Sequence, residues 1–155
     1  MKNDRIRFIL RFGGAALCLA AIIILAFPVV VLNEGCGPEL SGCVANRYSA
    51  FDLSKVGAVG IECFWIPYWL IVCLPFLLCG ALLRPLAWKI VGVAFSAFLL
   101  LPAVVLLVEP DHLALDAPAA LSVSAILIAA FCAYAGAGVW QLVGKLVSDS
   151  SHRSA

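Results

Sequence analysis

Four long apolar stretches dominate this chain, and they leave few folds open to it. They cover about residues 12–32, 57–83, 88–108 and 119–143. A helix rises about 1.5 Å per residue, so about 20 apolar residues cross the hydrocarbon of a bilayer. Each stretch reaches that length. Inside a bilayer, only helices or closed barrels satisfy their own backbone groups. The stretches lack the two-residue alternation of barrel strands. The expectation is an all-α integral membrane protein: four transmembrane helices in one antiparallel bundle.

Composition agrees. The chain is 65% hydrophobic and 12% charged, against about 45–50% and about 25% in soluble domains. A net charge of +1 gives no footprint for nucleic acid. The lipid bilayer is the one partner that composition itself names.

Orientation follows from lysine and arginine in short loops. Lys2, Arg5, Arg7, Arg11, Arg84, Lys89, Lys145 and Arg153 would share one side, eight of the ten basic residues. Arg47 and Lys55 fall on the other. Both termini are therefore expected in the cytoplasm, and a bacterial inner membrane is the expected site. Trp88 and Trp140 lie near the cytoplasmic boundaries, where amphipathic rings settle. Residues 83–87 read as a tight hairpin joining spans two and three. The polar tail after Val147 is expected to fray. Residues 33–56 form the one sizeable outer loop.

Cys36 and Cys43 lie in that outer loop. In an oxidising compartment they can pair, closing a short loop worth about 2.5 kcal/mol in a chain-entropy treatment. Gly37, Pro38 and Gly42 suit the reversal. Cys18, Cys73, Cys79 and Cys132 lie within spans, where cysteine acts as a small apolar residue. Four spans with a cysteine pair after the first resemble, in topology, the quinone-linked disulfide-generating membrane proteins. That resemblance implies thiol oxidation at Cys36 and Cys43. Those proteins carry Cys-x-x-Cys and a second outer pair. This chain has Cys-x6-Cys and no cysteine in residues 109–118.

Glu62 is the unusual acid, about five residues into span two, since an intramembrane acid is a functional candidate by default. Glu62, Trp65, Trp69, Cys73, Phe76 and Gly80 share one helical face. The second outer loop carries Glu109, Asp111 and His112, a candidate polar site with Glu62. Asp116, ahead of Ala117-Pro118, suits the N-cap of span four. Neither a metal set nor a cofactor motif is complete. Pro28, Pro67, Pro75 and Pro102 fall inside predicted spans, each freeing a carbonyl four residues earlier. Two of them in span two predict that span two is the bent one. Ala125, Ala129, Ala133 and Ala137 recur every four residues in span four and mark a close helix contact.

These features point away from catalysis. The leading expectation is a membrane adaptor, scaffold or sensor, acting as a homo-oligomer or with a membrane or cytosolic partner protein. A small oligomeric channel lined by Glu62 and a thiol oxidoreductase are the alternatives.

Overall fold

The computed structural model describes residues 2–34, 44–52, 65–83, 85–108 and 115–153. In chain order these form α1 (Lys2–Ala26), β1 (Pro28–Glu34), β2 (Val44–Ser49), α2 (Trp65–Leu82), α3 (Leu86–Phe98), α4 (Leu100–Val108) and α5 (Ala117–Arg153). Four helical segments are long and apolar enough to cross a membrane: Asp4–Ala26, Trp65–Leu82, Leu86–Val108 and Ala117–Trp140. The third comprises α3 and α4. Gly14 of α1 meets Tyr134 midway along α5, while the chain just beyond α1 meets Asp116 just before α5. The two helices are thus antiparallel, and their outer termini share one end, here called the basic end.

The architecture is not purely α. The first span stops at Ala26, six residues before the expected boundary. Pro28 cannot continue a helix and biases the residue before it towards extended backbone. The β-branched run Val29-Val30-Val31 then favours a strand. β1 pairs antiparallel with β2, from Val30↔Tyr48 to Glu34↔Val44. Val30 and Leu32 are buried two residues apart, while Val31 between them is half-buried. That is the period of a strand lying on a core. The hairpin therefore caps the end of the bundle, with Val30, Leu32, Ala50 and Leu115 joining the same core as Leu25, Ile66, Leu106 and Ala120.

Each helix buries one seam. On α1 it runs through Arg11, Ala15, Cys18, Ala21 and Leu25, and on α5 through Ala120, Val123, Leu127, Ala130, Tyr134 and Ala137. Steps of three and four keep these residues on one side of a helix. Small side chains dominate the α1 seam, which lets helices approach closely in lipid.

The interruption falls in span three, not span two. α2 runs on through Pro75, and Pro67 sits in its first turn, where a missing N–H costs nothing. The break comes at Leu99, between α3 and α4. Pro102, third in α4, has no N–H to give Phe98. Trp69 supplies it instead, its Nε1–H donating to the Phe98 carbonyl at 3.1 Å. The Ser124 hydroxyl donates to the Ala103 carbonyl at 3.1 Å, so both sides of the break are held from neighbouring helices. The tail also departs from expectation. α5 remains helical to Arg153, because extending an existing helix needs no new nucleus.

Candidate functional site

Two constellations hold the bundle together, one at each end. The hairpin end is tied by polar groups. A helix leaves its last carbonyls without intrahelical partners. At the end of α1, the Leu25 carbonyl accepts from the Ala50 N–H at 3.1 Å and from the Ser49 hydroxyl at 3.3 Å. The chain leaving β2 thus caps α1. Ser49 also accepts from the Phe51 N–H at 3.2 Å, and its carbonyl accepts from the Asp52 N–H at 3.0 Å. That tight turn aims the hairpin back at the helix.

Asp116 joins the remaining parts. Its N–H donates to the Val29 carbonyl of β1 at 2.9 Å. The neighbouring Leu115 makes an antiparallel bridge with Val30. Its carboxylate pairs with Arg47 of β2, Nη2 to Oδ2 at 3.2 Å. Its carbonyl accepts the Ala119 and Ala120 N–H groups of α5, both at 2.9 Å. The N-cap position expected for Asp116 is therefore occupied, but its carboxylate serves the hairpin. One residue ties β1, β2 and α5.

The basic end is held by shape. Tyr134 of α5 is fully buried and its hydroxyl donates to the Leu77 carbonyl of α2. Three glycines from three helices surround it. A Cβ on Gly14 would lie 2.8 Å from Tyr134 Cδ2, and one on Gly92 would lie 2.9 Å from Tyr134 Cε1. A Cβ on Gly80 would lie 2.8 Å from the Gly92 Cα and 2.9 Å from the Trp88 carbonyl oxygen. These are backbone approaches that only glycine permits. Arg11, 5% exposed, lies one turn from Gly14 and within electrostatic reach of Tyr134. α1, α2, α3 and α5 all meet at this ring.

Of the residues singled out from sequence, Cys36, Cys43, Glu62, Glu109, Asp111 and His112 lie outside the described residues. Cys18, Cys73, Cys79 and Cys132 are free thiols. Among the described residues there is no disulfide, and no group of three or more His, Cys, Asp or Glu side chains is placed to hold a metal. The face of α2 carrying Trp65, Trp69, Cys73, Phe76 and Gly80 packs inward and sideways. Cys73 and Gly80 are buried. Trp69 meets Trp65 and Phe98 edge-on, with centroids 6.2 and 6.0 Å away, and Phe76 stacks on Phe95 at 4.0 Å.

The alanine stripe is divided. Ala137 is buried and Ala133 half-buried, whereas Ala125 and Ala129 are exposed. A four-residue step advances about 400° at about 100° per residue, so such a stripe winds around the helix by about 40° per step. The contact inside the chain lies instead on Val123, Leu127, Ala130 and Tyr134. Ala125 and Ala129 join Cys132 and Gly136 on the outer face of α5, where a Cβ added to Gly136 meets nothing within 4 Å.

These features define a four-span helical architecture, compatible with an integral membrane protein, carrying a hairpin clamped to one end. The chain matches no protein-family model, no curated protein and no solved structure.

Proposed function

We propose that this protein is a non-enzymatic membrane adaptor or sensor, with the hairpin as its outer receiving element and α5 as its output. The observation that carries this reading is the three-way tie at Asp116. A partner pressing on β1 or β2 acts directly on the first residues of α5. α5 then runs through the bundle and continues past the span end at Trp140 to Arg153. Those added residues form a helical arm about 20 Å long. The excess of lysine and arginine at the basic end supports cytoplasmic termini, and a bacterial-type inner membrane fits that polarity. The interior also favours a rigid subunit over a pore within one chain, because Tyr134 fills the ring where four helices meet.

The outer face of α5 suits a second helix, from a partner or another copy. Elsewhere the exposed surface carries bulky groups such as Phe12, Ile23, Ile71, Ile90 and Leu107. Along Ala125, Ala129, Cys132 and Gly136 runs a strip of small residues, flanked on α5 by the exposed Leu121, Ile128 and Val139, and small residues favour close helix association in lipid.

Purification of the tagged full-length protein at native expression, in mild detergent, tests the proposal through the mass and composition of the complex. The expected result is a stoichiometric assembly that Ala129→Phe weakens at least ten-fold while the fold is retained. A monomer that supports solute flux in liposomes would overturn it.

A further inference from the structure

We infer that the basic end of α1 is a binding site for one anionic phospholipid, its headgroup on Arg5 and an acyl chain on Phe8 and Phe12. α1 ends at Ala26, where the hairpin begins. Counting back about 20 residues, enough to cross about 30 Å of hydrocarbon, reaches Ile6. Arg5 therefore sits at headgroup level, with Phe8 and Phe12 just beneath it. All three are exposed. They follow at steps of three and four, which puts them on one face of the helix. Phe8 and Phe12 stack with centroids 5.9 Å apart and planes 16° from parallel. The pair presents an apolar shelf about one helical turn long beneath Arg5.

Arg7 and Arg11 of α1 are engaged differently. Arg7 is ion-paired with Asp4. Arg11 is turned into the bundle near Tyr134. Lys89 of α3 is half-buried. Arg5 is thus an exposed cation at this level, standing directly above the shelf. A positive group over an apolar strip complements a phosphate with its attached chain. A lone phosphate would use the first without the second. A basic residue near an anionic surface contributes about 1 kcal/mol, or about five-fold in affinity.

The test is native mass spectrometry of the full-length protein from nanodiscs of equal phosphatidylglycerol and phosphatidylcholine, with circular dichroism as a fold control. The wild type is expected to retain phosphatidylglycerol preferentially. Arg5→Gln should lower that preference about five-fold and leave phosphatidylcholine retention unchanged. Phe8→Ala/Phe12→Ala should lower retention of both lipids. Inorganic phosphate at 10 mM is a probe concentration that should displace neither. Equal retention of the two lipids by the wild type, or an unchanged preference in Arg5→Gln, would overturn the assignment. So would displacement by phosphate, which would make the site one for a free anion.

Discussion

The two ends of this bundle are fastened by different physics. At the basic end, four helices close on Tyr134 through contacts that glycine alone permits. At the hairpin end, β1, β2, α1 and α5 add hydrogen bonds and the Asp116–Arg47 ion pair to a shared apolar core. Shape fastening is stiff, because close-packed interiors do not deform gradually. Polar fastening near the membrane surface is exchangeable, since water can replace each bond at little net cost. A molecule built this way keeps a fixed body and a releasable cap. Input at the hairpin would be expected to loosen the Asp116 tie before it disturbs the ring around Tyr134.

Substitutions at the two ends should break this contrast in a graded way. Tyr134→Ala should have the largest effect, about 3–5 kcal/mol of stability, by opening a cavity where the helices converge. Gly80→Val should come next, at about 3 kcal/mol, because its Cβ meets backbone atoms that cannot swing away. Gly136→Ala, which meets open space, should stay within about 0.5 kcal/mol. Unfolding in mixed micelles measures all three.

Trp69→Phe keeps a ring beside Phe98 but removes the N–H that satisfies its carbonyl. A loss of about 1–2 kcal/mol is expected, together with faster amide exchange in α4. Tyr134→Phe removes one hydroxyl donated to Leu77 and should cost about 1 kcal/mol. Asp116→Asn, which weakens a partly exposed ion pair, should cost at most about 1 kcal/mol. That loss should shrink further at high salt. Its signature is local: exchange should rise in β2 and at Asp116 while α1 and α2 are unmoved. An equal rise across all helices would collapse the distinction between the two ends.

Much of the fold was legible in sequence because hydropathy over a long window is a strong signal. The four spans were readable. The end of the first span was not. Phe27 to Leu32 is as apolar as the helix before it, and an apolar β-branched run reads equally well as membrane helix or strand. Pro28 was read as lying inside a span, whereas it is the boundary. The ring around Tyr134 was invisible for another reason. Gly14, Gly80 and Gly92 come from three helices, and no local pattern shows that they face one phenol. Asp116 was half legible. Its place before Ala117-Pro118 marked the helix start, but nothing nearby in sequence pointed its carboxylate at Arg47. For the candidate site, the polar residues most visible in sequence, Glu62, His112 and the Cys36/Cys43 pair, fall outside the described residues. The structure instead assigned weight to Asp116, Arg47 and Ser49, ordinary polar residues whose roles depend on long-range contacts.

The hairpin and the bundle are expected to move as one mechanical unit through Asp116. Hydrogen exchange resolved to single amides, on the full-length protein in nanodiscs, tests it most directly. The N–H groups of Ala50 and Asp116, which donate to Leu25 and Val29, are the reporters. Both should be protected together with the β1–β2 ladder, and Asp116→Asn should speed their exchange while the ring around Tyr134 stays closed. Rapid exchange of both amides in the wild type, with the helices fully protected, would contradict it, because the hairpin would then move free of the bundle.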